Sequence, residues 1–513
     1  MADLTGLRGF NKAGTSTNLL LAGYGNDVIN IGTGLGYGLN LNSENKVEMD
    51  VFLDRLFIQN YDTRPKTFDG TTWTNDYVGR CLTSKFIKSS KSQVRIYLGY
   101  CKFTAPQVPL DTSGNEITFP SRVFYSDLFV GNNLTWGMEW GRNGRTTQGS
   151  PFFNIDQPLV QDFVASNIKV GDPLIVTSGD STLVTKTYYV KNVISPYRLE
   201  MTENFPVTAS SLHYWVGSNW FDVGPDDNDS VTGFGEYSSN FLVYKLYSLY
   251  SYNRTSLRPI PDALGTSSNR SILVTKSGVY YFHGSDPKIS GIYRYDGSET
   301  SRVSRAIDPY IRGMSSANYT EVVGWREGEE LRWYLGNLTN SNYDIDMDKA
   351  VATINTGISA WDVSPIADEI TCATEFQFGN EQQYYTGNSE GQVLKMGTGN
   401  NFNGDPIRYR LETKVYYPEG IERILEMDGI QVVGRQTKGL RIYYKLWDNP
   451  NGRDDEWLGI GELNNDLTEL LVNYDHKFAS GIQFAFEGFD ILENDLFVEK
   501  FNILYKEGRI RRL

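Results

Sequence analysis

The chain is poor in the residues that most often carry chemistry. Cysteine occurs three times in 513 residues, at Cys81, Cys101 and Cys372, an odd and sparse set that makes no disulfide framework. The expectation is folding in a reducing compartment. Histidine also occurs three times, at His213, His283 and His476, far apart and with no H-E-x-x-H or comparable ligand spacing. Cys-x-x-Cys pairs and a G-x-x-x-x-G-K-[ST] phosphate loop are missing, and no G-x-S-x-G elbow precedes a helix. Long apolar runs are missing too. The most apolar window, "FLVYKLYSLYSY" (241–252), is too short and too tyrosine-rich to cross a bilayer, so no membrane span is expected. The opening "MADLTGLRGF" has no apolar h-region, so no secretory signal is expected. Positive charge is in deficit, with a formal net charge of −14. That excludes a dedicated nucleic-acid grip, which would need a basic face, but not a surface that DNA passes without sticking.

Aromatic residues and glycine are abundant. Thirty-three Tyr, 26 Phe and 10 Trp suit pleated, half-buried surfaces, and 50 Gly suit the turns between strands, so the composition points to an all-β chain. One hairpin plan recurs. "VRIYLGY" (94–100), "GVYYFHGSDPKISGIYRYDG" (278–297), "ELRWYLGNLTN" (330–340) and "YYTGNSEGQVLKMGTGN" (384–400) each run β-branched and aromatic residues into a Gly-rich turn. Trp136, Trp140, Trp325 and Trp361 follow at loose intervals. Irregular repeats of about 40–55 residues, each with several strands, predict β-propeller blades, with a generic run of antiparallel hairpins as the alternative. In the last hairpin, Tyr384 and Tyr385 are expected to pack inward, and Gly387 and Gly391 to shape the turn.

Composition divides the chain. Residues 1–50 are rich in Gly, Asn and Leu without clear elements, and are expected as an extended N-terminal arm laid on a neighbouring subunit or closing the ring. The propeller is expected over 51–154 and 223–404. Between them, 155–222 reads as an inserted small β-barrel of five short strands, SH3-like, flanked by polar Gly-rich joints. Residues 405–513 alternate through strand after strand with no propeller repeat, and are expected as a β-sandwich-like block.

Candidate metal sites fail on spacing. Asp344, Asp346 and Asp348 open like a calcium loop, but Lys349 stands where Gly is needed and Asn355 where Glu is needed. They read as an acidic turn facing water. Asp226, Asp227 and Asp229 in "DDNDS" rest on less. No catalytic, cofactor-binding or metal residue is expected, and the chain is not expected to be an enzyme. The enzyme alternative is a propeller-based glycosidase or carbohydrate-binding protein, which would need paired carboxylates or an arginine cluster beside a tyrosine.

The order "VRIYLGY…FPSRVFYSDLFVGNNLTW" (94–136), "GVYYFHGSDPKISGIYRYDGSETSRVSRAIDPYI" (278–311) and "GISAWDV…EQQYYTGNSEGQVLKM" (357–396) resembles the β-propeller tail nozzle, or tail tube, proteins of tailed and mainly short-tailed bacteriophages. The resemblance covers roughly residues 90–400. It implies a structural virion protein, made in the bacterial host cytoplasm and placed in the tail. It also implies a ring of copies, a hexamer favoured over a dodecamer, that extends the DNA channel for genome ejection. The implied partners are other copies of the chain, neighbouring tail, adaptor or portal proteins, and phage DNA passing the lumen without specific binding. A lumen of acidic and small polar residues would suit that passage.

Overall fold

The computed structural model describes residues 3–506, outside 76–79, 103–117, 128–134, 157–160, 398–400, 421–423, 436–438, 448–456, 464–468, 491–496 and scattered single or paired residues. The chain is all-β, with many small antiparallel sheets and a six-stranded closed barrel. It divides into two compact units, Met1–Gly397 and Thr398–Leu513.

The first unit holds seven sheets in chain order. They open with the strands Leu4–Asn11, Glu48–Phe52, Arg80–Ser90, Val231–Tyr237, Leu273–Thr275, Val323–Glu327 and Ile370–Phe378. The strands of each sheet follow chain order and each pairs with the next, the last strand of the third sheet, Trp220–Asp222, coming only after the barrel. Six have four strands and the seventh has three. Each opening strand packs against the opening strand of the following sheet, and that of the seventh packs against that of the first. The contacts therefore close into a cycle. The apolar clusters obey the same order. Phe10, Leu21, Leu56 and Phe68 join the first and second sheets. Tyr97, Val123, Phe234 and Val243 join the third and fourth. Leu4, Leu20, Cys372 and Phe376 join the first to the seventh. Alternation explains this. A strand buried on both faces reads as a continuous apolar run, as in Gly278–His283, where all six residues are buried.

Two expectations change here. Residues 1–50 are not an extended arm. They form the four-stranded first sheet and lead into the second. The reason is close packing: a Cβ on Gly9 would overlap the Phe376 ring, so this glycine serves the approach of two sheets, not a loop. The barrel does not span 155–222. Its six strands run from Met138–Thr146 to Ala209–Gly217, and Trp220–Asp222 returns to the third sheet beside Thr118–Tyr125. Trp140 lies on the first barrel strand and stacks on Trp215 of the last, ring centroids 5.3 Å apart. An aromatic-Gly strand looks the same in either setting, so the sequence assigned it to a blade.

The hairpin at 384–400 is described to Gly397. Its turn is built by Asn388, whose Oδ1 accepts from the N–H groups of Glu390 at 3.1 Å and Gln392 at 2.7 Å, with Gly391 at φ +80°. Gly387 is not in that turn. It lies inside the strand Glu381–Asn388, where a Cβ would meet Cys372 Sγ at 2.7 Å and Leu4 Cδ1 at 2.9 Å. Tyr384 and Tyr385, as neighbours in one strand, point to opposite faces and are both half-buried. Tyr385 packs with the cluster that joins the first and seventh sheets, and the Tyr384 hydroxyl accepts from Gly328 N–H at 3.3 Å.

The second unit has a five-stranded sheet, which includes Asp405–Glu412, Leu440–Trp447 and Gly481–Asp490, and a three-stranded sheet centred on Leu425–Arg435. Ile430 and Val432 of one sheet share an apolar cluster with Ile442, Tyr444 and Phe484 of the other.

Candidate functional site

The opening strands leave a cavity of about 180 Å³ where they converge. All seven sheets line it or border it: Arg8, Glu48, Asp50, Ser84, Phe234, Asn269, Arg270, Val323 and Cys372 are among its walls. The lining is polar because strands meeting at one point bring backbone ends and short side chains together, with too little room for apolar packing.

Glu48 is the hub. Its carboxylate accepts from Asn269 Nδ2 at 2.6 Å, Gln59 Nε2 at 3.0 Å and Ser84 N–H at 3.3 Å. Burial pushes its pKa up, against the pull of Asn269 and of the Arg270 charge. Asn269 Oδ1 in turn accepts from Phe234 N–H at 3.2 Å. Arg270 donates to the carbonyls of Thr371, at 2.5 Å, and Thr5. It therefore ties the fifth sheet to the seventh and the first across the closure of the cycle. Burial lowers its pKa from the usual arginine value. Thr371 Oγ1 adds a bond to Leu4 O at 2.5 Å. Beside them Arg8 pairs with Asp50 at 2.9 Å, and Lys46 pairs with Glu321.

Chemically this arrangement ties strands together. The Glu48 carboxylate accepts three hydrogen bonds. The Cys372 thiol is pushed up by burial, which disfavours the thiolate a nucleophile would need. Its volume corresponds to on the order of six waters at about 30 Å³ each. Small-molecule sites run to roughly 300–1,000 Å³, so this one is small for a substrate.

The residues singled out in the sequence lie elsewhere. His213 is on the barrel strand Ala209–Gly217 and His476 on Glu469–Ala479. His283 is fully buried at the end of Gly278–His283, its ring nitrogens 3.2 Å from Gly265 O and 2.7 Å from Ser285 Oγ. Burial lowers its pKa. Asp344 lies outside the described residues. Asp346 and Asp348 are exposed on one face of the strand Ile345–Asn355, so this segment is a strand edge rather than a turn. Asp226 lies outside the described residues, while Asp227 helps build a cation site filled by the protein itself. The buried Lys245 ammonium donates to Asp227 Oδ1 at 2.5 Å, Val223 O at 2.9 Å, Gly224 O at 3.1 Å and Ser121 Oγ at 3.2 Å. Asp229 caps the next turn through the N–H groups of Leu246 and Tyr247, each at 2.9 Å. Among the described residues, no group of three or more His, Cys, Asp or Glu could hold a metal ion. Among the described residues, no helix is long and apolar enough to cross a membrane.

Sequence reasoning missed Glu48, Asn269 and Arg270. The one local signal was the alternation in "VEMDVF" (47–52), which puts Glu48 and Asp50 on one face of a strand whose other face is apolar.

No protein-family model matches the chain, and no curated protein matches it. Among solved structures, the computationally designed Ika8 protein is similar at TM-score 0.33 and 9% identity, over 77% of this chain and 95% of that one. Phage phi92 endosialidase is a weak neighbour at TM-score 0.23 and 11% identity, over 90% of this chain and 69% of that one. BamB from Moraxella catarrhalis is similar at TM-score 0.24 and 10% identity, over 68% and 92%. At these TM-scores the likenesses carry no argument about fold or function.

Proposed function

We propose that the seven sheets are the blades of one propeller and that the chain is a structural protein of a bacteriophage tail, a nozzle or tail-tube part. Copies of it would assemble into a ring, a hexamer favoured, that extends the DNA channel in the virion between neighbouring tail, adaptor or portal proteins.

The observation that carries this reading is the filled, cross-tied axis. Arg270, Glu48 and Asn269 bind opening strands from opposite sides of the cycle and leave about 180 Å³. No duplex passes through such a space. A DNA path would therefore run between copies of the chain, each acting as a stiff wall unit. The net charge of −14 suits such a wall, because DNA slides past a surface it does not bind. Closed rings of copies are the symmetric way to bound a channel. The sequence resemblance to nozzle proteins points the same way.

The test is negative-stain microscopy of the purified chain alongside a duplex-binding assay at about 150 mM salt, where the Debye length is about 8 Å. Rings with an open centre and no tight duplex binding are expected. A chain that stays monomeric, or one that grips duplex DNA, would overturn the reading; turnover of host glycans by the monomer would install the glycosidase alternative.

A further inference from the structure

We propose that Cys81 and Cys101 are a latent cross-strand disulfide, a modification site that closes when the chain meets an oxidised low-molecular-weight disulfide as it folds. The two residues are direct partners in the third sheet, in the register Cys101↔Cys81 between Arg80–Ser90 and Gln93–Lys102. Directly opposed residues of an antiparallel pair have Cα atoms about 4.5–5.5 Å apart, inside the range of about 4.4–6.8 Å that a disulfide needs. Both side chains also lie on the same side of the sheet. Two residues earlier on Gln93–Lys102, the face toward Val231 and Phe234 is taken by Gly99, beside Thr83 of the partner strand. The left-handed Tyr100, at φ +52°, then turns the strand, and Cys101 joins Cys81 in the cluster of Ile96, Leu98, Phe124, Trp140 and Trp215.

Neither cysteine is in a disulfide, and both are fully buried. Bridging them adds no volume. Two hydrogens leave, and the sulfurs come to about 2.05 Å. The Cys81 thiol gives up its bond to Gln59 Oε1, at 3.4 Å, while Gln59 Nε2 donates to Glu48. Oxidation therefore frees one acceptor of the side chain that supports the axial hub. Cys372 cannot take part. It sits in the seventh sheet with Leu4 and Phe376, in a different cluster.

The chemistry is thiol–disulfide exchange. The thiolate of one cysteine attacks a sulfur of oxidised glutathione, and one glutathione leaves as a thiolate. The second cysteine gives its proton to water and displaces the other glutathione from the mixed disulfide. Two protein thiols are oxidised and one glutathione disulfide is reduced to two thiols.

The test produces the full chain in a host cytoplasm with its disulfide-reducing pathways intact and in one without them, so that the thiols meet oxidant during folding. Free thiols are then blocked and the chain is mapped by peptide mass spectrometry. In the oxidising host the expected result is a Cys81–Cys101 linked peptide, about 2 Da lighter than the two reduced peptides together, with Cys372 alone alkylated. Cys372→Ser should keep the link, and Cys101→Ser should remove it. Should Cys101→Ser fail to fold, refolding the wild-type chain in oxidised glutathione gives a second readout, in which two of three thiols are lost together. Three alkylated cysteines in both hosts, or separate glutathione adducts on Cys81 and Cys101, would overturn the proposal. The proposal stands independently of the tail function.

Discussion

The inside of the barrel and the centre of the sheet cycle solve the same problem in opposite ways. The barrel interior is apolar: Phe153, Phe163, Leu174, Val190, Leu199, Leu212 and Val216 fill it. The centre of the cycle is polar and tied by Glu48, Asn269 and Arg270. Six strands that close on themselves leave an interior wide enough for side chains to interdigitate. Seven sheets that meet edge-on leave strand backbones close together, and the groups that fit there must satisfy N–H and C=O as well as fill space. Apolar filling needs only local alternation; polar closure needs partners placed from distant parts of the chain.

The sharpest break of that comparison is Arg270→Ala. It strips donors from Thr5 O and Thr371 O and leaves Glu48 without its compensating charge. At about 1–3 kcal/mol per stranded group, a loss of about 3 kcal/mol or more is expected. Hydrogen exchange should speed up in Leu4–Asn11 and Ile370–Phe378 while the barrel strands keep their protection. Equal loosening of the barrel would show that the closure of the cycle is not what Arg270 holds.

On the barrel side, Leu174→Ala should cost about 2–4 kcal/mol by opening a cavity among Val190, Leu212 and Val216. Here exchange should rise in the barrel and leave the seven opening strands protected. If the two substitutions loosen the same strands, the two regions are one cooperative body and the contrast fails.

These two interiors were unequally legible. "TYYVKNVIS" shows its alternation, and Tyr188 and Val190 are indeed buried while Tyr189 and Lys191 are exposed. The all-β class follows from such segments. The axis was not legible, because Glu48 and Asn269 are 221 positions apart and no spacing rule links them. The first sheet was missed for a different reason. Its glycines looked like loop, but Gly9 is spent on a close approach that becomes visible only when Phe376 is in place. The barrel boundary was misplaced because Trp140 serves a joint rather than a blade. Lys245 shows the converse case: an acidic cluster read as a weak metal candidate holds an internal ammonium.

A smaller effect sharpens the comparison through pH. Glu139, on the first barrel strand, has its pKa raised to about 7 by burial, despite bonds from Ser166 Oγ at 2.5 Å and the N–H groups of Asp162 and Trp140. A carboxyl with a raised folded pKa lends its stability at low pH, fully below about 4.5, and loses it as pH rises through about 7. Asp127 at the same joint behaves oppositely. Burial pushes it up, but Lys169, Asn167, Asn219 and Thr135 outweigh that and hold it below the ordinary range. Its contribution is present above the unfolded value and is lost in acid. Barrel stability should therefore fall between about pH 4.5 and 7 in the wild type, at about 1.4 kcal/mol per pH unit at the steepest, and Glu139→Gln should flatten that slope. A slope unchanged in the variant would remove Glu139 from the account.

The smallest expected effect is on metal removal. Chelation, or Asp346→Asn with Asp348→Asn, should leave the melting temperature within about 1 °C. A drop of more than about 5 °C, of the order of 1 kcal/mol or more, would reveal a structural ion.

The most direct measurement is a cryo-electron microscopy reconstruction of the assembled chain at side-chain resolution. The account predicts a ring of copies around an open channel, each copy a closed cycle of seven sheets with Arg270 and Glu48 filling its own axis. An isolated monomer, or a passage running through the Glu48–Arg270 axis itself, would contradict it.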